Sequence, residues 1–342
     1  GSATVYLSTG AEELPLLSDY ADLVICRNAL DHMHNPAVAL KETRGGFRRP
    51  FSFIAALMLL ATFSSLILGQ AGRKPRATMG GGISLGITAK RADNSSTNIT
   101  SKNVSVYDNG VEQSIRNFAP DPSPARIVLL VDNSVTLRAD VEKLEQAARE
   151  FAYEIYEGDQ ILIVGYDEQA EIVADWTDDA KAIEASLKGF RKKGQPHLFD
   201  ALTAVVDEAL RALPGQKRVI VVIGDGLDRG SKTNFDKALA ELQANDITVY
   251  MIQIPDRTRG AIRRDVPKPR QVVDKLVEAT GGLVFPIEET TEAAKTICDE
   301  LRKNRFVISC VPSSAPFGEA RRLLVAGDEG IIIRAKSMQQ PN

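Results

Sequence analysis

The 342-residue sequence is poor in the residues that build metal frameworks and stacking platforms. It has three cysteines and three histidines, too few for a zinc ribbon or a disulfide-dense scaffold. One tryptophan, seven tyrosines and 12 phenylalanines leave little for an aromatic surface that stacks bases. No excess of positive charge exists either. The 42 lysines and arginines are met by 45 acids, a net charge of −3, so the field that draws nucleic acid is absent and no nucleic-acid partner is expected. What remains is an ordinary globular composition, 44% hydrophobic and 25% charged, long enough for about two domains.

One stretch breaks that average. Residues 51–68 read FSFIAALMLLATFSSLIL, eighteen in a row without a charge. As a helix this run spans ~27 Å, close to the ~30 Å hydrocarbon core of a bilayer. Arg48 and Arg49 precede it, and Gly69-Gln70-Ala71 follows with small residues. That is the layout of a signal peptide or a transmembrane anchor. The expectation is a membrane-anchored protein with the following domain outside the cytoplasm, or a secreted or periplasmic one.

Beyond residue 77 the pattern is that of alternating strands and helices. Residues 77–124 form a β-rich lead-in, with GISLGITA and NVSVYD as strands and Asp-Asn-Gly as a turn. ARIVLLVD (125–132), KRVIVVIGD and ITVYMIQIP are almost wholly apolar strands. QILIVGYD and AEIVADWT fit a hairpin. Amphipathic helices are expected between these strands, at about 139–156, over 198–213, and in NFDKALAELQAND, RQVVDKLVEATGG and TEAAKTICDELRKN. Apolar strands between amphipathic helices predict a doubly wound, mostly parallel sheet covered on both faces. Such a sheet binds ligands at the carboxyl ends of its strands.

Two of those strand ends carry aspartates. One reads Asp132-Asn133-Ser134-Val135-Thr136, a carboxylate and two hydroxyls on alternate residues, and the other Gly224-Asp225-Gly226-Leu227-Asp228. Neutral hydroxyls with few carboxylates suit a hard cation such as Mg²⁺. The acids also fit turn or helix-capping roles, the more natural reading for Asp228. His197 reads as a loop side chain. Cys298 and Cys310 read as buried thiols, or as a disulfide if the compartment is oxidising.

The D-x-S-x-T loop, the later Asp225 and the surrounding elements resemble the von Willebrand factor type A (VWA) family, in particular a bacterial exported group. The resemblance covers about 80–337 and implies a VWA domain at 125–305, a β-rich lead-in and a C-terminal β extension at 306–337. It implies a metal-ion-dependent adhesion site whose ligands are Asp132, Ser134, Thr136 and Asp225. It also implies a protein partner able to supply a carboxylate to the metal. The family's second loop carries a ligand threonine where this sequence has Pro196, which offers no side-chain oxygen. Weak Mg²⁺ binding by a degenerate site is therefore expected. D-x-S-x-T also looks like the D-x-D-x-T loop of phosphatases with the haloacid dehalogenase fold. There the second acid donates a proton, and Ser134 cannot replace it, so an enzyme is not expected.

A second resemblance lies at 5–43. Gly10-Ala11-Glu12-Glu13-Leu14-Pro15 and Tyr20-Ala21-Asp22-Leu23-Val24-Ile25-Cys26 look like part of a class I S-adenosylmethionine-dependent methyltransferase. The Gly-rich cofactor loop of that family would lie upstream of residue 1, and Gly10 stands where an acid beside the adenine is expected. Residues 1–46 are read as an inactive methyltransferase-like fragment that does not bind the cofactor. The alternative function, a methyltransferase, requires the missing loop.

Overall fold

The computed structural model describes residues 83–95, 98–258, 267–310 and 319–341, which fall within one compact unit, Gly80–Asn342. The methyltransferase-like stretch 1–46 and the apolar run 51–68 lie outside the described residues. Among the described residues no helix is long and apolar enough to cross a membrane.

The centre is a six-stranded sheet. Its strands are β5 (Ala125–Asp132), β6 (Gln160–Tyr166), β7 (Ala170–Thr177), β8 (Lys217–Gly224), β9 (Thr248–Gln253) and β10 (Val284–Pro286), in the order β10-β9-β8-β5-β6-β7. All neighbours are parallel except the β6–β7 hairpin at one edge. β5 and β8 lie in the middle, and their sequences say why: both are nearly continuous apolar runs, buried on both sides. Alternate residues serve the two faces. Ile127, Leu129 and Val131 pack with α1 (Val141–Glu154), α2 (Ala180–Leu187) and α6 (Thr290–Lys303). Val128 and Leu130 pack with α3 (Leu198–Ala204), α4 (Phe235–Ala244) and α5 (Pro269–Thr280). The expected single helix over 198–213 is α-helical only to Ala204 and continues as a wider π turn over Val205–Leu210.

The lead-in and the C-terminal extension, distinct in the sequence, build one β sandwich. β1 (Ile83–Arg91), β4 (Ile115–Pro120), β11 (Arg305–Cys310) and β13 (Ile331–Ala335) form one sheet in the order β13-β1-β11-β4. β2 (Val104–Asp108), β3 (Val111–Gln113), β12 (Arg321–Gly327) and β14 (Met338–Gln339) form the other, in the order β14-β12-β2-β3. Each sheet thus mixes strands from both ends of the segment. The β2–β3 turn is Asn109-Gly110, both at positive φ (49° and 81°), the backbone that a two-residue hairpin of right-handed twist demands. Leu85, Ile87, Val106, Ile308, Cys310 and Leu323 fill the space between the sheets.

Polar contacts, buried or half-buried, join sandwich to α/β layer. The Gly86 amide donates to Asp246 Oδ2 at 3.0 Å, and Lys336 Nζ donates to the Gln243 carbonyl at 3.1 Å. Arg305 Nη1 reaches the hydroxyls of Thr88 (3.3 Å) and Thr248 (3.2 Å). Cys298 on α6 and Cys310 on β11 are both buried free thiols, and burial pushes the thiol of Cys298 well above its ordinary range.

Candidate functional site

β5 and β8 run side by side and in the same direction, so the residues following them emerge at the same edge of the sheet. This brings Asp132, Ser134 and Thr136 together with Asp225, which follows Asp132 by 93 residues in sequence. Asp132, Ser134 and Asp225 have no solvent exposure. Asp132 Oδ1 organises its own loop by accepting from the Ser134 amide (2.9 Å) and the Ser134 hydroxyl (2.6 Å). Asp225 Oδ1 does the same in the loop after β8, accepting from the Leu227 amide at 3.1 Å.

The point on which these oxygens converge holds a guanidinium. Arg257 sits four residues past the end of β9, the strand beside β8, and is 8% exposed. Nε donates to Asp225 Oδ2 (2.6 Å), and Nη2 to Asp225 Oδ1 (2.8 Å), a bidentate pairing. Nη2 also donates to Asp132 Oδ2. Nη1 donates to Ser134 Oγ (2.9 Å) and Thr136 Oγ1 (2.6 Å). A guanidinium has five N–H donors. All five of them are used here, on the four residues singled out in the sequence. The Arg257 amide adds a contact to Asp225 Oδ2 at 3.3 Å. The neighbouring backbone is fixed by Asp256, whose Oδ1 accepts from the amide and the hydroxyl of Thr258, each at 2.7 Å.

The electrostatics follow from burial. Burial raises the pKa of Asp132, and the charge of Arg257 and the bonds from Ser134 act against the rise. Burial also works against the charge on Arg257, but the bonds and charges of Asp225 and Asp132 outweigh it and lift its pKa further. The phenol of Tyr166, wholly buried nearby, is pushed well above its ordinary range, first by burial and then by the charges of Asp132 and Asp225.

The other polar residues lace the loops to each other. Asp228 accepts from the Phe199 amide at the start of α3 (3.1 Å) and from the Ser231 hydroxyl (2.5 Å), so it caps rather than joins the cluster. Asp200 accepts from the amides of Lys232 (2.9 Å) and Thr233 (2.8 Å). Pro196 uses its carbonyl to accept from the Arg229 amide at 2.7 Å. The His197 amide donates to the Asp167 carbonyl at 2.8 Å, and its ring lies against Gly230.

As arranged, these residues do not fit a Mg²⁺ ion. Mg²⁺ demands near-octahedral oxygens at ~2.0–2.1 Å. Five of the six side-chain oxygens that would provide them are hydrogen-bonded to Arg257 and the sixth, Asp132 Oδ1, to Ser134, and Pro196 has no side-chain oxygen to add. Arg257 is the residue that sequence reasoning missed. A signal for it existed: Pro255-Asp256-Arg257 follows the apolar run ITVYMIQI at the same carboxyl edge that holds the two aspartates.

Residues 127–227 match the model of the von Willebrand factor type A domain. The matched segment is under a third of the chain; it runs from within β5 to the loop after β8 and includes the D-x-S-x-T loop and Asp225. Domains of this family are generally non-enzymatic adhesion or interaction modules. Among solved structures, an aerotolerance-related membrane protein from Bacteroides fragilis is similar at 19% identity and TM-score 0.41, over 52% of this chain and 99% of that one. BatB from Bacteroides thetaiotaomicron is similar at 17% identity and TM-score 0.42, over 52% and 98%. A von Willebrand factor type A protein from Catenulispora acidiphila is similar at 10% identity and TM-score 0.44, over 78% and 75%. No curated protein sequence matches.

Gly226 is the backbone pivot of the Asp225 loop. Its φ is +80°, and a Cβ there would lie 2.6 Å from Val273 Cγ2 and 2.8 Å from the Pro269 carbonyl on α5. Gly226→Ala is expected to cost about 2–4 kcal/mol, from left-handed backbone plus overpacking. Chemical denaturation checks it; a loss below about 0.5 kcal/mol, the usual scatter of neutral surface changes, would contradict the stated geometry.

Proposed function

We propose that this chain is an exported or membrane-anchored VWA protein that binds another protein through the loop face around Asp132, Ser134, Thr136 and Asp225. The observation that carries the reading is Val135. It stands between buried Ser134 and half-buried Thr136, yet it is 56% exposed, a β-branched apolar side chain held out from a loop that both neighbours anchor. Exposed Arg138, Arg191, Arg229 and Lys232 lie on the three loops of the same edge. An apolar point within a basic rim suits a partner that offers an apolar pocket and carboxylates. The face is preformed, because both aspartates tie down their own loops and Asp200 and Asp228 tie the loops to each other, so little ordering is needed on binding.

Export is supported by the uncharged run 51–68 and its basic flank, Arg48 and Arg49. A membrane-impermeant protease added to intact cells or spheroplasts is expected to digest the domain beyond residue 77. Protection that ends only when the membrane is lysed would place the domain inside and contradict export.

The interaction itself is tested by a photo-crosslinking amino acid at Val135 in cells. It is expected to trap a discrete protein, whereas the same probe at Glu157, in the turn before β6 at the opposite edge, is not. Val135→Glu is expected to weaken binding of that partner on the order of tenfold or more, the cost of truncating or charging a central contact. Equal trapping at both positions, or none at Val135, would overturn the assignment of this face.

A further inference from the structure

We propose that Arg257 is the resident cation of this site: its guanidinium takes the place that the family gives to a divalent metal, and the loop face is held in its binding form without one. The first support is stoichiometric. The five N–H groups of Arg257 meet five side-chain oxygens, two of Asp225 and one each of Asp132, Ser134 and Thr136. A bound metal would need those same side chains, so the two cations are mutually exclusive.

The second support is burial. Asp132 and Asp225 are wholly buried, and two buried carboxylates side by side require a positive charge. Arg257 is itself buried, and its planar fork supplies both charge and directed bonds, which a lysine in its place could not do for five acceptors. The third support is independent of Arg257. Pro196 stands in the second loop where a hydroxyl would complete a metal shell, and its carbonyl is spent on the Arg229 amide. One chain has thus lost a metal ligand and placed a cation of its own among those that remain.

The consequence is a VWA face insensitive to metal. No incoming carboxylate completes a metal shell; a partner meets a surface whose cation is covalently part of the chain. The inference concerns the site and not the partner, so it is tested with metal alone, and its failure is distinct from failure of the interaction reading.

The experiment is thermal unfolding of the full chain in detergent, in EDTA and in about 10 mM MgCl₂, with Arg257→Ala and Arg257→Lys alongside. The wild type is expected to melt at the same temperature in both buffers. Arg257→Ala leaves two buried carboxylates without a cation and is expected to melt roughly 6–20 °C lower in EDTA. It is expected to recover about 5–10 °C in MgCl₂, the shift produced when the metal stands about 100-fold above Kd. Arg257→Lys keeps the charge but has fewer donors; it is expected to melt below wild type and to ignore the metal. If Arg257→Ala does not accumulate folded, Arg257→Gln, which removes the charge and keeps both carboxylates, carries the same comparison. A wild type stabilised by Mg²⁺ and losing that response in Asp132→Ala would overturn the proposal. So would an Arg257→Ala variant that melts with the wild type in EDTA and shows no response to metal.

Discussion

Two carboxylates buried side by side at the ends of adjacent parallel strands cannot stand alone, and the whole loop face depends on the charge that joins them. Leaving a buried charge unpaired costs several kcal/mol, a sizeable part of the ~5–15 kcal/mol that holds a domain folded. Arg257 meets both acids at once, bidentate on Asp225 and single on Asp132, and spends its remaining donors on Ser134 and Thr136. The bond pattern does more than balance charge. It clamps the loops after β5, β8 and β9 into one arrangement, and it leaves Val135 pointing outward between two anchored neighbours.

The fold is what makes that clamp reachable. Parallel β5, β8 and β9 are adjacent, so three loops far apart in sequence open on the same edge. Helices cover both faces of the central strands, and the loops at this edge bring the polar side chains of the cluster together. At the side of the α/β layer, the sandwich is joined through buried polar groups rather than through a linker: Arg305 and Lys336 reach across to Thr248 and Gln243. β11 begins two residues after α6 ends and runs directly between β1 and β4.

Much of this was legible in the sequence because the signals were local. The apolar runs of β5, β8 and β9 announce buried parallel strands, and a D-x-S-x-T loop at a strand end announces a cluster of oxygens. The antiparallel β6–β7 pair was readable for the same reason. What stayed hidden is set by long-range pairing. Nothing local in 83–120 or 305–339 says that β11 inserts between two strands of the lead-in, or that β12 pairs with β2. Arg257 stayed hidden for a related reason. An arginine four residues past a strand carries no spacing motif, and only the positions of Asp132 and Asp225 in space make it their counter-charge. The oxygens were legible; the cation between them was not, and a metal ion was the natural expectation from the oxygens alone.

The most direct measurement is an experimental electron-density map of crystals soaked in MnCl₂, with anomalous differences collected for manganese. The account predicts planar guanidinium density between Asp132 and Asp225 and no anomalous peak there. A manganese peak on Asp132 and Asp225, with the Arg257 side chain turned away from both, would contradict it.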